Sequence, residues 1–148
     1  MLLKQLSILG DCPAPSEEGL APFSGVKGDR LRHLFGLEDI GKLVNLMNVL
    51  GFCPSGGFPI RVAGLLASQI PVGDTTIFVG KRVASLFGLG EANFLEWWDS
   101  PDGGDFAVIP HLAKTNPWWQ KRGNSRRASM FLCHAAGITP PTRLKKYG

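Results

Sequence analysis

The stretch TTIFV, residues 75–79, is the clearest strand pattern in the chain, and Gly80 separates it from KRVASLFGL, residues 81–89. β-Branched and aromatic side chains fill the first segment, which is the composition that strands favour. The second segment has apolar side chains at helical spacing and predicts a short helix. A buried strand followed directly by a helix is the repeating unit of α/β proteins, so this unit indicates the α/β class.

The same alternation of strand and helix extends over the rest of the chain. Continuous apolar runs predict strands at residues 3–9, 42–50 and 105–110. Helical patterns, one with Pro59 in its first turn and one ending at Gly36, predict helices at 29–35, 58–70 and 125–136. Gly and Pro residues predict a long loop over 10–28. We therefore expect one domain over residues 1–148, a three-layer αβα sandwich around a four-stranded, mostly parallel sheet.

The composition indicates a folded, soluble chain. Its 148 residues are 44% apolar and 19% charged, whereas disordered chains combine low hydrophobicity with high net charge. No apolar run approaches the ~20 residues that span a bilayer. The N-terminus lacks the apolar stretch and the cleavage site of a signal peptide. We expect a cytoplasmic monomer that does not contact a membrane.

The spacing of the cysteines argues against a metal centre. Cys12, Cys53 and Cys133 are widely separated and form no C-x-x-C pair, so neither a zinc or iron–sulfur site nor a disulfide framework is predicted. We expect no metal and no cofactor. The net charge of +4 is compatible with a nucleic-acid partner.

Polar and glycine residues are concentrated where the predicted strands end. Gly10–Pro13 follows the first strand, Asn45 and Asn48 lie in the second half of the next strand, Gly80 follows the third and His111 the fourth. Ligands of parallel α/β sheets bind beyond the carboxyl ends of the strands. We therefore expect these residues to share one crevice.

Five short motifs follow one another along the chain: ILGDCP at 8–13, PFSG at 22–25 after Gly19, VNL at 44–46, VGKRVA at 79–84 and PHLAKTNPWW at 110–119. Together they resemble the uracil-DNA glycosylase superfamily, in particular the small bacterial and phage branch related to the iron–sulfur family 4 enzymes. The corresponding family patterns are G-E-A-P-G, G-x-x-F-x-G, a strand with the base-reading Asn, G-R-x-V-A and P-H-P-S-G-x-N-x-W-W. The resemblance covers about residues 3–132.

The resemblance implies that a nucleotide is flipped out of DNA and that its base is removed by hydrolysis. His111 would donate a hydrogen bond to the base oxygen on which negative charge develops. Asp11 would stabilise the cationic sugar and orient a water molecule. The ordinary alternatives are a loop histidine that caps backbone groups and a turn aspartate that bonds its own backbone.

The resemblance also implies a set of base-binding residues. Phe23 would be the aromatic platform beneath the flipped base, the alternative being a core plug under its loop. Asn45 would bind a pyrimidine edge, because an amide offers both a donor and an acceptor. Asn48 competes for this role, and we prefer Asn45 because Asn45-Leu46 matches the phage-like branch. Cys12 adjoins Asp11 and belongs to the same set, although nothing near it indicates a nucleophilic thiol.

Candidate DNA contacts follow His111 along the chain. The loop of Lys114, Thr115 and Asn116 resembles the family's minor-groove wedge. Leu112 is the one bulky apolar residue immediately after His111, so weak insertion is expected. A basic run comes next, and we expect it to neutralise DNA phosphates, the alternative being a solvated helix start. Its members are Lys121, Arg122, Arg126 and Arg127. Trp118 and Trp119 are expected to pack against the sheet, and Trp97 and Trp98 to pack in the core or at an edge.

The chain departs from the family pattern in ways that keep several functions open. Leu112-Ala113 stands where the family has Pro-Ser, so a hydroxyl for a phosphate or the sugar is missing, and the cluster cysteines of family 4 are absent. One hypothesis is a metal-independent glycosylase for uracil or a modified pyrimidine, and a second is a phage-type enzyme that processes hypermodified bases. The third is a degenerate glycosylase fold that binds DNA or a protein without cleavage. A nucleotide-binding domain is disfavoured because no G-x-x-x-x-G-K-[ST] loop occurs.

Overall fold

A computed structural model describes residues 6–70, 75–100 and 103–144 of the chain. The strands are β1 (Leu6–Gly10), β2 (Asn45–Asn48), β3 (Thr75–Val79), β4 (Trp98–Asp99) and β5 (Asp105–Ile109). The α-helices are α1 (Val26–Phe35), α2 (Ile60–Ser68), α3 (Lys81–Ser85) and α4 (Asn124–Ala136). Short 3-10 helices cover Pro15–Glu17, Ile40–Lys42 and Pro117–Gln120.

The strands form one sheet in the order β2-β1-β3-β5-β4, parallel except at β4, so the predicted α/β class with a mostly parallel sheet is confirmed. The predicted number of strands is wrong, because the sheet has five strands and not four. The additional strand, β4, pairs antiparallel with β5 through Trp98 opposite Phe106 and Asp99 opposite Asp105. A strand of two residues carries no measurable alternation of apolar and polar side chains, so periodicity could not predict it.

Helices cover both faces of the sheet, because alternate side chains of each buried strand point to opposite sides. Ile8 of β1 packs in one core cluster with Leu31 of α1 and Leu132 of α4. Leu9, the next residue, packs in a second cluster with Ala63 of α2 and Val83 of α3. The architecture is therefore a three-layer sandwich with α1 and α4 on one face and α2 and α3 on the other.

Several element ends differ from the sequence-based prediction. The first predicted strand starts at residue 3, but residues 3–5 lie outside the described residues, and β1 is described from Leu6. β2 is shorter than predicted because the chain at Ile40–Lys42 forms a 3-10 turn. α1 begins at Val26, inside the predicted loop, and ends as predicted with Gly36 in the left-handed conformation.

The loop between β1 and α1 is fixed by Arg32. Its guanidinium donates to the carbonyl of Phe23 at 3.0 Å and to the carbonyl of Gly25 at 3.4 Å. Phe23 has a φ of 61°, a left-handed conformation that costs a bulky residue on the order of 1–2 kcal/mol. The Arg32 bonds and the burial of the Phe23 ring in the core offset this cost.

None of the helices within the described ranges has the combined length and apolar character that crossing a bilayer would need.

Replacing Gly28 with Ala is expected to lower the free energy of unfolding by about 3 kcal/mol, the upper end of the usual cost of overpacking. The reason is that a Cβ at Gly28 would lie 1.7 Å from the backbone oxygen of Phe23. Urea denaturation measures the change. Gly64→Ala in α2 is the control, since its Cβ would have no neighbour within 4 Å and Ala favours a helix interior by about 1 kcal/mol. Equal stability of the two variants would contradict the prediction.

Candidate functional site

The carboxyl edge of the sheet brings together residues from five separate parts of the chain. A Cβ built on Gly10, the last residue of β1, would lie 2.6 Å from Oδ1 of Asn48 and 2.9 Å from Cζ of Phe23. Only a glycine allows this approach, so the Phe23 ring and the Asn48 amide both lie against the end of β1. On the other side of β1, a Cβ on Gly80 would contact His111 at 3.4 Å. We call this edge, with Asp11, Phe23, Asn48, Arg82 and His111, the crevice.

Asp11 is a buried carboxylate, with 3% of its surface exposed. Its Oδ2 accepts a hydrogen bond at 2.9 Å from Nε of Arg82 and a second, charge-assisted bond from Nη2 of the same guanidinium. Its Oδ1 accepts from the backbone N–H of Cys12 at 2.7 Å. Both oxygens are therefore engaged, and Asp11 is far more restrained than a turn aspartate in solvent.

The environment of Asp11 holds it ionised. Burial disfavours the carboxylate, but the hydrogen bonds and charge of Arg82 outweigh burial, and Lys27 adds to them. The pKa of Asp11 therefore lies below its ordinary value of 3.8. Lys27 is in the first turn of α1, and the sequence analysis did not identify it.

Arg82 is the second residue whose role the sequence analysis missed. The sequence alone shows it only as one of two basic residues after Gly80, but it is the ion-pair partner of Asp11. Its guanidinium carbon also lies 4.2 Å from the centre of the Phe58 ring, a cation–π contact. About half of the Arg82 side chain remains exposed, so the pair has one buried and one accessible member.

His111 is a neutral donor in this structure. Its Nδ1 accepts the backbone N–H of Ala113 at 3.2 Å, and a ring nitrogen that accepts carries no proton, so Nε2 carries the N–H. Burial lowers the pKa of His111 below its ordinary value of 6.5, and the charges of Lys27 and Arg82 lower it further, against the opposing effect of Asp11. The ring can therefore donate from Nε2 at neutral pH without first being protonated.

The loop after His111 is fixed by two side chains of the PHLAKTNPWW motif. Nδ2 of Asn116 and Nε1 of Trp119 each donate to the carbonyl of His111 at 2.8 Å. Oδ1 of Asn116 accepts from the N–H of Trp118 at 3.2 Å, which caps the 3-10 helix. Trp119 belongs to the core, so its predicted packing is confirmed. Asn116, predicted to contact DNA, instead holds this loop, because both ends of its amide are used within the protein.

Two further expectations are corrected by the fold. Leu112 is 1% exposed and lies in the core cluster, so it is not available as a wedge into a DNA groove. Asn45 opens β2 opposite Ser7, whereas Asn48 closes β2 opposite Gly10. At ~3.3 Å per residue, Asn45 lies about 10 Å from the carboxyl edge, so the structure places Asn48, and not the preferred Asn45, at the crevice.

The remaining base-binding candidates lie at the crevice. Phe23 is 5% exposed and belongs to the core cluster, and the edge of its ring lies against Gly10. Cys12 is half-buried, and burial together with the charge of Asp11 raises its pKa, so its thiol is not activated as a nucleophile.

The predicted DNA-contact residues lie in two places. Lys114 and Thr115 are exposed on the turn after His111. Lys121, Arg122 and Arg126 line a separate cavity at the start of α4. Arg127 is exposed and donates to Oδ1 of Asn124 at 3.4 Å.

Within the described ranges, no group of three or more His, Cys, Asp or Glu side chains is placed to hold a metal ion. Comparison with models of known protein families and with curated proteins gave no match to this chain.

Arg82→Gln is expected to raise the pKa of Asp11 relative to the intact protein. Burial raises this pKa, and the variant lacks the guanidinium that does most to lower it. A depressed carboxyl pKa stabilises the fold above the ordinary pKa of 3.8, and this stability is lost as pH falls through the folded-state pKa. The free energy of unfolding of the variant should therefore fall by about 1–2 kcal/mol at pH 7, which is less than for a fully buried ion pair because Arg82 is half exposed. At a pH where Asp11 is protonated, the free energy of unfolding should change little.

Urea denaturation at neutral and acidic pH, with carboxyl ¹³C NMR of Asp11, measures both effects of Arg82→Gln. The control is Arg61→Gln, an exposed arginine on α2. A loss of stability that is the same at both pH values would contradict the ion-pair explanation.

His111 is expected to titrate below pH 6.5 in the folded protein, as followed by NMR of its ring protons, and near the ordinary value in urea. Because the unfolded chain then binds the proton more tightly, His111 contributes stability that rises with pH between the folded-state pKa and 6.5. A folded-state midpoint above the unfolded one would overturn the assignment of a neutral ring.

Proposed function

We propose that this protein flips a nucleotide out of DNA and hydrolytically excises its base, uracil or a modified pyrimidine. The observation that carries the proposal is the neutral His111 imidazole, which has its N–H fixed on Nε2 and lies at the same sheet edge as the buried Asp11 carboxylate. The motif resemblance and this arrangement support the same chemistry.

His111 acts on the leaving base. When the bond between the base and C1′ of the sugar breaks, the electron pair moves onto the base and negative charge develops on its carbonyl oxygen. A neutral imidazole donates to that oxygen from Nε2, and it does so more strongly in the transition state than in the ground state. The two bonds to the His111 carbonyl keep the loop in place during the step.

Asn48 and Phe23 form the part of the crevice that fits a base. The Asn48 amide presents a donor and an acceptor, which complement the carbonyl and N–H edge of a pyrimidine such as uracil. The Phe23 ring lies beside this amide across Gly10 and gives the base an aromatic floor. Recognition thus depends on Asn48, at the carboxyl end of β2, and not on Asn45.

Asp11 acts on the sugar. The departure of the base leaves positive charge at C1′, which a fixed carboxylate stabilises. Asp11 accepts hydrogen bonds on both oxygens, but an ionised carboxylate has about four acceptor positions, so it can also orient the water that adds to C1′. As the new C1′–O bond forms, Asp11 accepts the proton that this water loses, and the departed base anion takes up a proton in turn. Arg82, with its half-exposed side chain, can move from Asp11 toward a phosphate and open that position.

A second candidate, a module of the same fold that binds DNA without cleavage, is favoured by the same ion pair. Asp11 is 3% exposed and its charge is compensated by Arg82. If Arg82 stays in place on bound DNA, no carboxylate faces the sugar, and the crevice binds a base without breaking its bond.

The experiment is single-turnover excision on a panel of oligonucleotides that each contain one uracil, one modified pyrimidine or one hypermodified pyrimidine, scored as abasic sites. On the base that is excised, His111→Ala is expected to slow excision by ~10²–10³, the usual cost of removing one donor to a developing oxyanion. DNA binding should be nearly unchanged. Excision at the intact rate by His111→Ala would refute the mechanism, and binding without excision across the panel would establish the non-cleaving module.

Asn48→Ala and Asn45→Ala form a matched pair on one strand. Asn48→Ala is expected to reduce discrimination between the excised base and cytosine by ~10-fold or more, because the pocket loses a paired donor and acceptor. Asn45→Ala should leave discrimination unchanged, since it opens β2 away from the crevice. The reverse result would restore Asn45 as the base-reading residue.

A further inference from the structure

A cavity of about 490 Å³ lies between α1 and the start of α4, and basic side chains dominate its lining. Arg30 and His33 contribute from α1, and Lys121, Arg122 and Arg126 contribute from the segment that enters α4. None of the described residues that line the cavity is acidic. A neighbouring cavity of about 630 Å³ has Asp29 and Glu38 in its lining beside its arginines, so carboxylates offset the positive charge there but not in the first cavity. We call the first one the basic cavity.

Two of the cations in the basic cavity are fixed in position. Arg30 is 3% exposed, its Nε donates to the carbonyl of Leu112 at 3.3 Å, and its guanidinium carbon lies 4.9 Å from the centre of the Trp119 ring. Arg126 donates to the carbonyl of Pro141. These contacts hold the two guanidinium groups in the wall of the basic cavity. Because the two side chains are already fixed, they lose little conformational entropy on binding an anion. Lys121 and Arg122 are exposed at the rim and can reach the anion from solvent.

The basic cavity is connected to the crevice by hydrogen bonds from two of its lining residues to the backbone at His111 and Leu112. Trp119, which lies under Arg30 in the cavity wall, donates its indole N–H to the carbonyl of His111. Arg30 itself contacts the carbonyl of Leu112, the residue after His111. α4 follows β5 and therefore starts on the side of the sheet where the parallel strands end. The wall of the cavity and the His111 side of the crevice thus contact the same loop.

We infer that the basic cavity binds a backbone phosphate of the DNA strand whose base occupies the crevice. The inference rests on the proposed function for its partner, DNA, and adds the site that anchors the strand. A phosphate group fits this site because its oxygens accept hydrogen bonds from fixed arginines in the wall and from mobile cations at the rim. In DNA, such a phosphate lies next to the extruded base. Arg127 lies outside the cavity lining, so it is not part of this site, although it belongs to the same basic run.

The test uses the intact chain and fluorescein-labelled single-stranded oligonucleotides without any lesion, with binding followed by anisotropy over a range of salt concentrations. In the double variant Lys121→Gln with Arg122→Gln, the log–log slope of affinity against salt should become shallower by about 0.7 for each phosphate that the protein no longer neutralises. The matched control, Lys42→Gln with Arg61→Gln, removes the same charge at two exposed positions outside the cavity and should keep the slope. Circular dichroism melting verifies that both variants are folded.

The outcomes separate this inference from the proposed function. If no lesion is excised but the slope becomes shallower in the cavity variant alone, the phosphate site stands and the excision mechanism fails. If excision occurs but the two double variants change the slope equally or not at all, the phosphate site is overturned. Inorganic pyrophosphate at low millimolar concentration serves as a competitor for the oligonucleotide. Displacement of the oligonucleotide from the control variant but not from the cavity variant supports the anion site. Equal displacement from both variants counts against it.

Discussion

The buried carboxylate of Asp11 is the constraint from which the rest of the crevice follows. An isolated charge at this depth would be costly, and Arg82 can reach it only because β3 pairs directly with β1 and α3 starts right after Gly80. The pair therefore ties the end of one strand to the helix that follows its neighbour. It also fixes Asp11 as an anion, and places one accessible cation at the edge where a phosphodiester would approach.

Next to this anion the fold holds a neutral ring. Protonated His111 would be favoured by Asp11, but burial and the charges of Lys27 and Arg82 act in the other direction and prevail. The Ala113 N–H then assigns the ring proton to Nε2. The Asp11 anion is suited to stabilising positive charge that develops in a reaction, and the neutral His111 donor is suited to stabilising negative charge. This separation of roles is what makes bond cleavage between a sugar and a base the preferred proposal.

The sequence predicts the elements with strong local signals and misses what depends on tertiary contact. Thr75–Val79 and the end of α1 at Gly36 are predictable because a dense β-branched run and a glycine cap are local features. The two-residue β4 could not be predicted because it has no local signal and is defined only by its pairing with β5. In the site, motifs identify His111 and Asp11, but the pairing of Asp11 with Arg82 depends on strand order, which periodicity does not contain. Motif similarity carries no information on where β2 ends. It therefore favours Asn45, although Asn48 is the residue that closes the strand.

The replacement of Pro-Ser by Leu112-Ala113 has a structural meaning that the motif alone conceals. The N–H that fixes the His111 tautomer belongs to the backbone at Ala113, so losing a serine hydroxyl there leaves this bond intact. Leu112 fills the core, and its carbonyl accepts from the buried Arg30. Under the proposed function, this loop offers no serine hydroxyl to DNA but keeps the His111 donor for the base. Under the same proposal, contacts to the DNA backbone come from cations, and we assign them to Arg82 at the crevice and to the basic cavity.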